Sequence, residues 1–307
     1  MLSAVAVQGV EHFRALLPVG YAAGVEAYRQ AVNQIDTREL TDHYTHGLHF
    51  FHQTFVPNLK LRLASLSGGD WSFGDFEAYA AGSDVDLMTH LVEAVAAREP
   101  VCLYPGDWFG FGLGATHEQN IRWTTQSRGM LACLCIPSVR NGHLTEEMAA
   151  FLDDADTCLL NLNLYPTLEA GERKELAARL EGILPKSVLS ISFSRGFGLT
   201  ASQLGVFLVH RDHPYQRRFA ARWNWFTYFH NALAARAFLA LDEEQRTAVD
   251  RQRRQWVADQ LRRSGLAVVE SGSYYVKSFR IEGVVPGALE PLCRNGVVRL
   301  CFKPPQT

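Results

Sequence analysis

Lysine is scarce in this chain. Five of its 307 residues, Lys60, Lys174, Lys186, Lys277 and Lys303, carry an amine side chain, so chemistry that needs an uncharged amine nucleophile has few candidates. The six cysteines (Cys102, Cys133, Cys135, Cys158, Cys293 and Cys301) lack paired C-x-x-C spacing and mostly lie in apolar runs. That pattern predicts reduced, buried thiols rather than a disulfide framework or a zinc site. No apolar run reaches the roughly 20 residues that cross a bilayer, and Glu11, His12 and Arg14 interrupt the opening residues where a signal peptide would be apolar. Neither sign of charge dominates: 30 Lys and Arg against 32 Asp and Glu leave a formal charge of -2, which argues against a nucleic-acid partner. A cytoplasmic protein with neither membrane nor nucleic acid as partner is expected. Motifs of other enzyme classes are missing too. There is no G-x-S-x-G elbow and no H-E-x-x-H, and Gly110-Phe111-Gly112-Leu113-Gly114 lacks dinucleotide or P-loop spacing.

What is present is ample core, 47% hydrophobic residues over 307 positions, enough for one large domain and a smaller one. From Phe76 onward, short apolar runs alternate with longer amphipathic ones, the pattern of a mostly parallel α/β sheet with crossover helices. Strands are predicted at Phe76 to Ala81, Val101 to Tyr104, Met130 to Ile136, Thr157 to Leu164, Val188 to Ser192 and Leu204 to Val209. Helices are predicted at Val85 to Arg98, Thr145 to Leu152 and Glu169 to Ile183. Beyond Pro214 a long arginine-studded helical region runs to about Arg263, followed by strand-like Leu266 to Glu270, Tyr274 to Glu282 and Val297 to Phe302. The expected units are an N-terminal helical arm or cap (1–75), a large α/β domain (76–214) and a small C-terminal α+β domain (215–307).

Two clusters have competing readings. His43, His46, His49 and His52 recur every three residues, so neighbours on a helix could chelate a metal in a metal-dependent enzyme. Each three-residue step turns about 60° around the helix, so the four cannot converge without a break at Gly47, and a polar helix face or a dimer contact is the plainer reading. The run Arg251-Gln252-Arg253-Arg254, with Arg217-Arg218 and Arg262-Arg263, reads as the solvated side of long helices.

One stretch stands apart: Ser192-Phe193-Ser194-Arg195-Gly196-Phe197-Gly198-Leu199. It resembles the segment that carries the cofactor lysine in class I/II aminotransferases, the pyridoxal-phosphate-dependent enzymes of fold type I, with arginine in the lysine's place. Further segments resemble that family in order. Ala81-Gly82-Ser83-Asp84 before a helix resembles the phosphate-binding turn. Tyr104-Pro105-Gly106-Asp107-Trp108 resembles the segment whose aromatic stacks on the coenzyme ring. Ile136-Pro137-Ser138-Val139-Arg140-Asn141-Gly142 sits where the family has N-P-x-N-P-T-G, and Leu162-Asn163-Leu164-Tyr165 where it has D-x-x-Y. Gly296-Val297-Val298-Arg299-Leu300 resembles the strand whose arginine grips a substrate carboxylate. The resemblance runs from about Phe76 to the C-terminus and implies the fold type I architecture.

The departures concentrate where the coenzyme would sit. Guanidinium stays protonated and delocalised, so Arg195 cannot form an internal aldimine. Val139 aligns with the asparagine that contacts the ring oxygen, Leu162 with the aspartate that pairs with the pyridine nitrogen, and Gln203 with a phosphate-binding arginine. Asp84 would repel a phosphate at the turn and is better suited to a helix start. The resemblance therefore implies a scaffold that binds or transforms an amino acid or small carboxylate without a covalent coenzyme, a noncovalently bound pyridoxal phosphate still being allowed. Its catalytic candidates are Arg195 and Tyr165. Its ligand-binding candidates are Arg299, Trp108, Ser192, Gly82, Ser83, Asn163 and Gln203. Trp108 beside Phe109 and Phe111 reads equally as core, Tyr165 as a packed ring, and Arg299 as a surface arginine. The family's dimeric habit implies a dimer, homotypic or with an active partner that this chain would support without catalysing.

Overall fold

The computed structural model describes residues 16, 18–42, 46–113, 115–200, 202, 204–223, 231–268, 272–281, 283–285, 287, 289–294 and 297–305. Its centre is a seven-stranded sheet made of β1 (Phe76–Ala81), β2 (Val101–Leu103), β3 (Ile121–Trp123), β4 (Leu131–Cys135), β5 (Thr157–Asn161), β6 (Ser187–Ser192) and β7 (Gly205–His210). The strands lie in the order β1-β7-β6-β5-β4-β2-β3. The five from β6 to β3 are parallel, and β7 runs against both β6 and β1. A second sheet, in the order β8-β10-β9, joins β8 (Val276–Arg280), β9 (Cys293–Arg294) and β10 (Val297–Cys301), all antiparallel.

Period-two alternation splits the core between the faces of the large sheet. In β4, Ala132 and Leu134 pack with one cluster, and Leu131, Cys133 and Cys135 with the other. The first cluster is covered by helices Ala22–Gln34, Val56–Leu66, Glu146–Asp154, Ala170–Leu180 and Ala232–Ala240. The N-terminal region thus sends Phe55, Leu59 and Leu63 into the main core. The second cluster is covered by helix Asp84–Ala96 and by Tyr274, Tyr275, Val298 and Leu300 of the small-sheet region.

Local chemistry fixes the helix starts. Ser83 accepts from the Asp86 amide at 3.1 Å, and Asp84 and Asp86 in that first turn suit the positive end of the helix. Asp242 accepts from Glu244 and Gln245 to open Glu243–Ser264, which Gly265 closes in the left-handed region at φ 68. Several elements differ from the sequence expectation. Strands β3 and β9 were not anticipated. Leu266 to Val268 form no strand, and the rest of that predicted run lies outside the described residues. Of the expected solvated arginine face, Arg251, Arg262 and Arg263 are exposed, but Arg253 is corrected: it is 1% exposed, as is Arg246 on the same helix, because buried acceptors surround them.

Candidate ligand-binding site

The carboxyl ends of parallel strands are where α/β sheets open crevices for ligands. Here Cys135 ends β4, Asn161 ends β5, and the chain leaving β2 brings Asp107 and Trp108 to the same edge. Together with Asp84 at the start of its helix, Arg195 beyond β6 and Arg299 of β10, they line a cavity of about 480 Å³.

Two carboxylates face this cavity, and both are engaged by the protein itself. Asp107 accepts from the Cys135 amide at 2.7 Å, the Ser138 hydroxyl at 2.6 Å and the Val139 amide at 2.9 Å, so it pins the turn after β4. Burial pushes its carboxyl above the usual range, and the Ser138 and backbone donors pull it back. Asp84 is 7% exposed. Burial likewise raises its pKa. The Asn163 amide at 2.8 Å, the charge of Arg195 and the helix's own Asp84 and Val85 amides favour its charged form. The carboxylate thus occupies the anion seat at the helix N-terminus. Its approach to the sheet is close enough that a Cβ on Gly205 would lie 1.9 Å from the Asp84 nitrogen, so only glycine serves there.

The Arg195 loop is shaped by two further glycines. A side chain on Gly196 would strike Pro166 at 2.7 Å. Gly198, at φ 69, would drive a Cβ to 2.0 Å from the Tyr21 ring. Phe193, Phe197 and Leu199 are buried in the core, so Arg195 is the residue of this stretch that reaches the cavity. Its Nε and Nη2 donate to the Leu16 carbonyl at 3.1 and 2.8 Å. Arg299 projects from β10 between buried Val298 and Leu300, and its Nη1 donates to the Val139 carbonyl at 3.3 Å. Trp108 packs edge-on against Phe111 at 5.1 Å, over Gly110, where a Cβ would meet the indole at 2.1 Å.

The structure therefore brings Arg195, Arg299, Trp108 and Asn163 to one cavity. It does not bring the other sequence candidates there. Ser192 gives its amide to Asn163 Oδ1 at 2.9 Å, and its hydroxyl lies 3.2 Å from that of Ser194. Ser83 caps its helix, and Gly82 is exposed on the preceding turn. Gln203 lies outside the described residues.

Tyr165 requires a correction. It is fully buried on the other side of the sheet, stacked on Trp71 at 4.8 Å, with its hydroxyl donating to the Arg173 carbonyl at 3.1 Å. Leu162 packs in that same cluster. Asn161 and Leu164 line the cavity in their stead, so the expected alignment with D-x-x-Y was displaced by one residue. Along a strand one residue is the whole difference between the two faces. Asn161, Asp107 as an anchor and Trp123 were not anticipated as site residues; the signal for Asn161 was a polar residue at the end of an otherwise apolar strand run.

Among the described residues the histidine cluster forms no metal-holding group. His46 Nδ1 lies 3.5 Å from Asp42 Oδ2 one turn earlier, and His52 sits edge-on to Phe51 at 5.0 Å. His43 lies outside the described residues. Among the described residues no group of three or more His, Cys, Asp or Glu side chains is placed to hold a metal, and no helix is long and apolar enough to cross a membrane.

No protein-family model matches the chain, and no curated protein matches it in sequence. Its fold is that of the pyridoxal-phosphate-dependent aminotransferases of fold type I. Histidinol-phosphate aminotransferase from Sinorhizobium meliloti, solved in complex with pyridoxal-5'-phosphate, is similar over 93% of this chain and 83% of its own, with 18% identity and a TM-score of 0.59. YbdL from Escherichia coli, a methionine aminotransferase, aligns over 97% of this chain and 89% of its own, with 14% identity and a TM-score of 0.64. L-threonine-O-3-phosphate decarboxylase from Porphyromonas gingivalis aligns over 95% and 94%, with 14% identity and a TM-score of 0.60.

The coenzyme implied by this fold meets poor partners here. Among the described residues no lysine lines the cavity. The neutral Asn161 offers no counter-charge to a pyridinium, and the Asp84 carboxylate fills the anion seat that a phosphate would need. These residues do not fit a covalently tethered pyridoxal phosphate.

Proposed function

We propose that this aminotransferase-like protein binds a small carboxylate or an amino acid through Arg195 and Arg299, with no internal aldimine. One observation carries the reading: two guanidinium groups line a single cavity in which both carboxylates are already hydrogen-bonded by the protein. A planar guanidinium holds a carboxylate through two parallel bonds. Charged hydrogen bonds of that kind contribute about 1.5–3 kcal/mol each. Catalysis, if the ligand is transformed, falls to Arg195 as the charged group of the motif at 192–199.

The test is calorimetric titration of the full chain with benzoate. Arg299→Ala and Arg195→Ala are each expected to weaken binding by about 2 kcal/mol, and unchanged affinity in both variants would reject the reading. Borohydride treatment after incubation with pyridoxal phosphate is expected to fix no lysine adduct, any retained coenzyme being held noncovalently, and Arg195→Lys is expected not to produce transamination. A second reading, a non-catalytic partner of an active aminotransferase-like subunit, is favoured by Phe109 and Trp123, which line the cavity yet stand 64% and 48% exposed. Light scattering of the isolated chain distinguishes it: a stable homodimer counts against a requirement for a different partner.

A further inference from the structure

Most polar groups that line the cavity are engaged by the protein itself, and two donors, on Asn161 and Arg195, are not. Asp107 accepts three hydrogen bonds from the turn after β4, and Asp84 is held by Asn163 and its own helix start. Asn163 is used at both ends of its amide, donating to Asp84 and accepting from the Ser192 amide. Asn161 differs. It is 4% exposed, and its Oδ1 accepts from the Asn163 amide at 3.0 Å, which fixes the orientation of the group. That bond leaves Nδ2 as the end without a hydrogen-bond partner among the described residues, on a side chain that lines the cavity. The side chain is buried but borders the cavity, so this N–H is placed to donate to an acceptor brought by a ligand.

Arg195 adds to the imbalance, because its Nη1 also has no hydrogen-bond partner among the described residues. The wall beside these donors is aromatic: Trp108, Phe109 and Trp123 all line the same space. Flat rings gain from such surfaces through stacking and edge contacts.

We infer that the cavity takes a flat aromatic carboxylate bearing a ring acceptor atom, its ring against the aromatic wall and its acceptor on Asn161 Nδ2. The proposal rests on the carboxylate-binding reading above and names the ligand class. An amide N–H donates and cannot accept, so the site prefers a neutral ring nitrogen and disfavours a ring N–H or a pyridinium at that point. Asn161 is in this account a specificity-determining residue, and the two arginines hold the acid group.

Four probes separate the parts of the idea in calorimetric titrations of the full chain at neutral pH: benzoate, pyridine-3-carboxylate, pyridine-4-carboxylate and cyclohexanecarboxylate. At least one pyridine carboxylate is expected to bind roughly 3- to 10-fold more tightly than benzoate, the range for one neutral hydrogen bond, and cyclohexanecarboxylate more weakly than benzoate. Asn161→Asp keeps the oxygen that accepts from Asn163 but replaces the donor by an acceptor. It is expected to turn the preference from the neutral to the protonated ring, so that any pyridine advantage falls as pH rises, while leaving benzoate binding responsive to Arg299→Ala. Asn161→Leu, checked for folding by thermal melting, is expected to bring the pyridine acids level with benzoate. If both pyridine acids bind no better than benzoate, or their advantage survives in Asn161→Leu, the ring-acceptor inference is overturned while the arginine reading stands. Equal binding of cyclohexanecarboxylate and benzoate overturns the requirement for a flat ring. Failure of every acid to bind the wild-type protein removes the carboxylate reading and this inference with it.

Discussion

Two buried aspartates illustrate how differently one fold can treat the same group. Asp250 accepts from the Tyr21 hydroxyl, from the Tyr274 hydroxyl at 2.8 Å and from Arg246. Arg246 also reaches the Pro166 and Gly196 carbonyls, at 3.1 and 3.3 Å, and pairs with Glu243. Arg253 lies over the Tyr21 ring and donates to the carbonyls of Val19 and Gly20 at 3.1 and 2.6 Å. Burial pushes the Asp250 carboxyl up, and Arg246, the two tyrosine hydroxyls and Arg253 pull it back. Asp84 has an equally buried carboxylate but only neutral donors in hydrogen-bond contact, while Arg195 acts on it from a distance and turns to the Leu16 carbonyl. In the first network the cations are consumed by the fold. In the second, Arg195 gives two nitrogens to the Leu16 carbonyl, and its Nη1 has no hydrogen-bond partner among the described residues. The first ties the N-terminal segment, the Arg195 loop and helix Glu243–Ser264 together; the second borders the cavity.

The largest expected effect follows from that contrast. Removing one partner of a buried ion pair leaves the others uncompensated and costs about 3–5 kcal/mol. Asp250→Ala should therefore lower the free energy of unfolding in denaturant titrations by that amount. Asp84→Ala, whose lost contacts are neutral, should cost about 1 kcal/mol. Equal losses at the two positions would erase the distinction between a closed network and an open site.

A smaller effect sharpens it through pH. Burial raises the Asp84 carboxyl in the folded state, so the folded protein holds that proton more tightly than the unfolded chain does. The sign follows from linkage: the contribution of Asp84 is most favourable below the ordinary carboxylate pKa and is lost as pH rises through the folded value. Asp84→Asn has no such proton to lose. Its stability relative to wild type should therefore improve as pH rises from about 4 toward neutrality, measured as the difference in melting temperature at each pH. A gap that is constant with pH, or that narrows, would show that the carboxylate is ionised at no cost.

The contrast also marks where sequence reading works. The strands β1, β2, β4, β5, β6 and β7 and the helices between them follow from apolar periodicity and capping residues, signals carried within a dozen neighbouring positions. The Arg195 loop was legible as a contiguous run that resembles the cofactor-lysine segment, although the groups that crowd its glycines, Pro166 and Tyr21, lie far away in the chain. Arg246 and Arg253 were not. Their acceptors come from Val19, Gly20, Pro166 and Gly196, 50 to 234 positions away in the chain, and a charge on a helix looks solvated until those partners are known. Asn161 was hidden differently. The resemblance to D-x-x-Y drew the register to Leu162, and one residue of displacement along β5 put the apolar face where the cavity should be.

The smallest expected effect tests that displacement directly. Tyr165 is enclosed with Trp71 on the helix-covered face of the sheet opposite the cavity, and its hydroxyl is satisfied by the Arg173 carbonyl. Tyr165→Phe keeps the ring and its stacking, so it removes a single neutral hydrogen bond, worth about 1 kcal/mol of stability. Carboxylate affinity should not change, because no atom of the ring borders the cavity. The two measurements pull apart the competing assignments. Lower stability with unaltered benzoate binding keeps Tyr165 as a packed core residue. Weakened binding with unaltered stability would restore it to the site and return the alignment of β5 to Leu162.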